Sequence, residues 1–137
     1  MKRSQGFYQK RKRLASLKYN DLEYRATVAD VREWFDVLNE QIFGDKLTPI
    51  RKIKFFKDDD DIDVYAFYHY FYKCKDKKPY MSFQRMFDCE KEFVEILAHE
   101  MIHHFQFLYD EPISHGSSFM IWRDNFNLKG LELYKVA

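Results

Sequence analysis

Residues 97–106, LAHEMIHHFQ, sit inside a long helical pattern and constrain the fold more than any other stretch of the chain. Phe93, Leu97, Met101, Phe105 and Leu108 recur at three- and four-residue steps, which predicts a helix from about Glu90 to Tyr109 with one side buried and Asp88 placed as its N-cap. His99 and His103, four residues apart, fall one turn from each other on a single face. Any fold for this chain has to bury that helix while keeping its imidazole-bearing face open.

The rest of the pattern supplies elements to cover it. Val31, Trp34, Phe35, Leu38 and Ile42 predict a helix over 28–43, where Thr27 and Asp30 resemble a capping box and Gly44 is a natural stop. The texture then changes to aromatic and β-branched runs at 50–56, 64–73 and 80–87, separated by KDDDDID and CKDKKP. These read as three strands, antiparallel in large part. After the break at DEPISHG, a third helix begins near Ser117 with Phe119, Trp122 and Phe126 on one side. The expected class is α+β: a compact domain with an N-terminal helix, a small three-stranded mostly antiparallel sheet, the motif-bearing helix and a C-terminal helix.

With 137 residues, 46% of them hydrophobic and 19% aromatic, the chain is long and apolar enough for one core, which excludes a disordered chain. It lacks the roughly 20-residue apolar run of a membrane span, and its basic start leads into no signal-peptide core. A cytoplasmic protein is expected, or a nuclear one in a eukaryote, not secreted and with no membrane contact; a monomer is the simplest expectation. Cys74 and Cys89 form neither a CxxC pair nor a disulfide framework, and neither reads as a metal ligand. The aspartates Asp58–Asp61 lack the spacing of a calcium loop and read as a solvated turn.

Charge is unevenly spread. Residues 1–20 carry seven basic side chains and no acid, a charge of +7, while the other 16 basic and 22 acidic residues leave −6. Residues 1–24 therefore read as a basic arm before a domain spanning 25–137. Lys2, Arg3, Lys10, Arg11, Lys12 and Arg13 are candidates for phosphate contacts, with Phe7 and Tyr8 able to stack on bases. The same pattern also fits a solvated tail, or one docked on the acidic body.

His99, Glu100 and His103 form H-E-x-x-H. Three fixed residue types in a chain this long match by chance on the order of 1–2% of the time, and here the match falls on a helix, as the chemistry requires. Two imidazoles a turn apart can hold one metal ion with the glutamate beside its open position. The ion then acidifies a water and polarises a carbonyl, and Glu100 takes the proton. A third ligand is needed. His115 is favoured because imidazole suits an ion already bound by imidazoles and Gly116 lets the backbone turn beside it; Glu111 is the rival carboxylate. His104, rotated about 100° from His103, is expected at the surface or supporting a ligand. His69 could face a cleft or pair within the sheet.

The run HEMIHHFQFLYDEPISHGSSF resembles the SprT-like zinc metalloproteases, whose pattern is HExxH followed by a third histidine in H-G-x-x-F/W. His99, Glu100 and His103 match the first part and His115, Gly116 and Phe119 the last. Gln106 matches a position often glutamine in bacterial members. WFDVLNEQIFGDKLTPIRKIKF is similar to the family's opening helix and first strand, so the resemblance covers about residues 28–128. It implies a zincin-like fold and a metalloendopeptidase with one Zn²⁺ per chain on His99, His103 and His115, Glu100 as general base and a protein or peptide substrate. In the Spartan branch, the substrates are DNA-associated proteins. The chain lacks the CxxC pairs of the zinc ribbon that several members carry; DNA contact through the basic residues 1–20 in its place is an expectation from their charge and not from the resemblance. Two alternatives stand beside this: a zinc-stapled DNA-binding or structural module without turnover, and a zinc hydrolase acting on something other than peptides.

Overall fold

The computed structural model describes residues 3–57, 62–71, 73 and 77–134; Lys2, Cys74 and the Asp58–Asp61 run lie outside them. Helix α1 (Gln5–Arg13) opens on Ser4, whose hydroxyl accepts the Phe7 N–H at 3.1 Å. A 3₁₀ turn (Leu14–Ser16) and a short strand β1 (Tyr24–Arg25) lead into α2 (Val28–Gln41). The reciprocal Thr27–Asp30 capping box is present, and the stripe Val31, Trp34, Phe35, Leu38 and Ile42 is buried. The chain leaves the helix through Gly44 and Asp45, both at positive φ, a conformation that favours glycine.

Of the readings open to the basic arm, docking on the acidic body is the one the structure shows, as a helix. Phe7 and Leu14 enter the core, and Lys10, 6% exposed, places its ammonium 2.8 Å from Glu33 and 3.2 Å from Asp30. Arg3 approaches Asp36 and Asp45 at 3.8 Å, Arg11 lies 3.4 Å from Glu40, and Arg13 makes a two-pronged bond to Glu90. The cause is the acidic face of α2, which runs Asp30, Glu33, Asp36, Glu40 opposite its apolar stripe. At Gly6 the two helices meet so closely that a Cβ would overlap the Glu33 carboxylate. Among the described candidates for phosphate contact, Lys12 alone is in no ion pair, so most of the arm's charge is engaged within the fold.

The three predicted strands are shorter than the runs that announced them: β2 (Lys52–Phe55), β3 (Ala66–His69) and β4 (Tyr80–Phe83). Their order is β2-β4-β3. The connection from β3 turns back, so β3 and β4 are antiparallel, but β4 inserts beside β2 in parallel, and only half of the sheet's pairings match the antiparallel expectation. The run 80–87 breaks at Gln84, whose backbone N–H goes to Tyr65 O and whose side chain donates to Ile62 O and Val64 O. The remainder, β5 (Met86–Phe87), pairs with β1.

Helix α3 (Glu90–Leu108) starts after Cys89 rather than Asp88, with no side-chain cap, and runs through the middle of the molecule. Phe93, Leu97 and Met101 are fully buried, while Phe105 and Leu108 are partly so. Trp34 Nε1 donates to Glu90 at 3.1 Å, tying α2 to its first turn. The expected single C-terminal helix is two short ones, α4 (Ser117–Met120) and α5 (Arg123–Leu128), followed by an irregular segment whose Leu131 returns to the core. No helix among the described residues is long and apolar enough to cross a membrane.

Candidate metal centre

Helix α3 delivers His99 and His103 from consecutive turns, and the loop ahead of α4 delivers His115. The ring nitrogens that can act as ligands all lie within 4.8 Å of one another, so these three residues could hold a metal ion. His115 Nε2 sits 3.2 Å from His99 Nε2 and 3.2 Å from His103 Nε2. Nitrogens about 2.05 Å from a tetrahedral ion lie about 3.3 Å apart, so these distances suit a shared cation. Glu111, the rival third ligand, is not in the group; its backbone N–H closes the end of α3 on Gln106 O.

The hydrogen bonds behind the rings determine which nitrogen faces the centre. His99 Nδ1 lies 2.7 Å from the Tyr134 carbonyl, which can only accept, so this nitrogen carries the proton and Nε2 presents a lone pair. His103 Nδ1 lies 2.9 Å from Gln106 Oε1. The amide is oriented by its other end, where Nε2 donates to Ser114 O at 3.1 Å and Ser118 Oγ at 3.0 Å, so His103 has the same tautomer. Burial pushes His99 down to about 3 and lowers His103, which keeps both neutral at physiological pH. Lone pairs of neutral imidazoles repel one another. Their convergence therefore fits a cation held between them.

Phe119 forms the floor of the centre. Its ring is fully buried, with centroid distances of 4.8 Å to His99, 5.4 Å to His103 and 4.9 Å to His115. His115 lies just ahead of α4, and the first turn of that helix brings Phe119 back against its ring beneath the ligands.

Glu100 is 3% exposed, lines the same cleft, and its Oε2 is buried with no hydrogen-bond partner among the described residues. Burial pushes its carboxyl up to about 8. A cation on the neighbouring imidazoles would favour the ionised form and draw that value back down. Buried polar atoms are rarely left unmatched, and one aimed into a cleft is the group to expect where chemistry occurs. The cleft has a volume of about 430 Å³ and is walled by Val64, Ala66, Phe67 and Tyr68 on one side and Ile113 and Ser114 on the other. A larger hollow of about 600 Å³ lies between α2 and β2, away from the histidines and with an Arg/Asp rim already paired within itself.

His104 is 1% exposed, contrary to the surface position its rotation suggested. Helix α3 has no wet side at this level. Its Nε2–H donates to Thr48 O at 2.8 Å and its Nδ1 accepts the Tyr68 hydroxyl at 2.8 Å, so the Tyr68 proton is committed although that ring lines the cleft. His69 belongs to the sheet: it stacks on Tyr80 with ring centroids 4.1 Å apart and bonds to Ser82 Oγ at 2.9 Å. The Tyr134 carbonyl that orients His99 had no sequence signal, because any residue could supply it.

Compared with family models, curated proteins and solved structures, the chain matches none.

Proposed function

We propose that the chain is a zinc-dependent metalloendopeptidase of the SprT-like kind, with a zincin-like pairing of motif helix and small sheet. The observation that carries this reading is the meeting of three imidazoles beside a buried carboxylate with a free oxygen, in a cleft walled by a sheet edge. Three imidazoles are a zinc donor set with an open fourth position, whereas magnesium and calcium take oxygen ligands. Zinc bound there supplies Lewis acidity toward a carbonyl oxygen and lowers the pKa of a water.

The chain's own residues do the rest. Glu100 Oε2 takes the proton of the attacking water and passes it to the departing amine nitrogen. Among the described residues β3 is an edge strand, paired with β4 alone, so its outer backbone groups can hold an extended peptide as an added strand across the cleft. Val64, Ala66 and Ile113 give that peptide apolar walls. The test is cleavage of unfolded proteins, with and without single-stranded or duplex DNA, by wild type and Glu100→Gln. Chelator-sensitive cleavage by wild type, reduced roughly 10²–10⁴-fold in Glu100→Gln, supports the reading, and equal rates contradict it.

A second reading, a zinc-stapled nucleic-acid-binding module without turnover, is favoured by the outer face of the sheet. The register Lys52–Tyr80–His69 and Lys54–Ser82–Phe67 places these residues on one face, opposite the core. Both ammonium groups lie over the Tyr80 ring, at 5.4 and 5.3 Å, on the side away from His69. Neither lysine is in an ion pair among the described residues. Aromatic rings beside unneutralised cations suit single-stranded nucleic acid. Under this reading, Lys52→Ala with Lys54→Ala flattens the salt dependence of DNA binding, whereas deleting residues 3–13 acts through stability alone.

A further inference from the structure

Helix α3 buries a second carboxylate, Glu95, one turn before His99, and the hydrolytic chemistry above does not use it. It is 2% exposed. Both of its oxygens lie 2.7 Å from the Tyr19 hydroxyl, and Oε2 accepts the Glu132 backbone N–H at 2.7 Å. Burying a carboxylate is costly, so an apolar residue would serve better if only packing were needed. What the carboxylate adds is acceptors.

Those acceptors seat the segment that orients a ligand. Leu131 is buried and its N–H bonds to Phe126 O, Glu132 N–H reaches Glu95, and the Tyr134 carbonyl receives His99 Nδ1–H. Glu95 and His99 are one helical turn apart, about 6 Å along the axis, and two residues of extended chain cover about 6.6 Å. The segment therefore runs along α3 with its 132 and 134 positions in step with residues 95 and 99. Tyr19 completes the seat, since its hydroxyl also lies 3.2 Å from that of Tyr134.

We propose that Glu95 is a positioning residue that, with Tyr19, anchors the 131–134 segment as a strap, so that the Tyr134 carbonyl holds the His99 ring with Nε2 facing the metal. This rests on the reading of His99, His103 and His115 as a zinc site. Residues that orient a ligand's far nitrogen change metal affinity by about 10–100-fold when lost.

The experiment compares zinc affinity by chelator competition, the absorption spectrum of the Co²⁺-loaded protein and thermal melting for full-length wild type, Glu95→Ala, Glu95→Gln and Tyr19→Phe. Glu95→Ala is expected to bind zinc at least about 10-fold more weakly with an altered Co²⁺ spectrum. Glu95→Gln, whose amide can still accept from Glu132 and donate to the Tyr19 oxygen, should restore both. Tyr19→Phe should weaken zinc to a smaller extent, and it keeps the test decisive if Glu95→Ala does not fold, because Tyr19 is half exposed. Wild-type zinc affinity and spectrum in folded Glu95→Ala, or in Tyr19→Phe should the alanine variant not fold, would overturn the positioning role alone. A wild-type protein that takes up no zinc would overturn the metal reading as well.

Discussion

His103 and Ser114 are joined through one side chain: Gln106 accepts the His103 Nδ1–H at 2.9 Å and donates to the Ser114 carbonyl at 3.1 Å. A single amide thus sets the tautomer of one ligand and the position of the loop carrying another. Gln106 is fully buried. Gln106→Ala should weaken zinc binding by about 10–100-fold, measured by chelator competition. Wild-type affinity in that variant would mean that His103 is oriented by packing alone.

The Phe119 ring packs against all three imidazoles and is fully buried. Removing a buried phenylalanine ring typically costs about 3–5 kcal/mol, so urea unfolding of Phe119→Ala in the presence of chelator should show a loss in that range. A loss below about 1 kcal/mol would show that the floor collapses without penalty.

Tyr68 and His104 form a buried pair whose removal strands an acceptor. Tyr68→Phe leaves His104 Nδ1 without its 2.8 Å donor, and burial already pushes His104 down to about 4, so the ring does not compensate by protonating at neutral pH. The expected cost is about 1–3 kcal/mol in chemical unfolding. No change would place a water at the vacated position.

The docking of α1 carries an acid signature. Burial pushes the Asp30 carboxyl up, but the hydrogen bonds from Thr27 and Lys10 and the Lys10 charge outweigh it and hold the group below its ordinary 3.8. With its folded pKa depressed, Asp30 contributes stability that is present above 3.8 and lost as pH falls through the folded value, because the unfolded chain takes up the proton first. Thermal melting from about pH 6 to about pH 3 should therefore fall less steeply for Asp30→Asn than for wild type. Parallel curves would remove the linkage.

The parts of this molecule that were legible in its sequence are those built from local spacing. The four-residue step of His99 and His103, the Thr27–Asp30 box and the apolar stripe of α2 need only helical periodicity, and each is present as read. His115 followed from donor chemistry, and the geometry brings it to the other two. What stayed hidden depends on elements distant in sequence. Docking of the basic segment on the acidic body was one open reading, but which face receives it follows only from Asp30, Glu33, Asp36 and Glu40 lining one side of another helix. Strand order was out of reach because alternation sets faces and not neighbours, so the parallel pairing of β2 with β4 had no local sign. Of the two places open to His104, the surface is excluded because α3 is enclosed along most of its length, which its own periodicity does not reveal.

The measurement closest to the central claim is zinc per chain, by elemental mass spectrometry, for wild type, Glu100→Gln and His115→Ala after dialysis against a mild chelator. His115 is exposed, so its removal tests the ligand without emptying the core. About one zinc in the first two proteins and a marked loss in the third is the predicted result. Wild-type protein without zinc, or His115→Ala that retains it fully, would contradict the three-histidine centre on which the proposed hydrolysis depends.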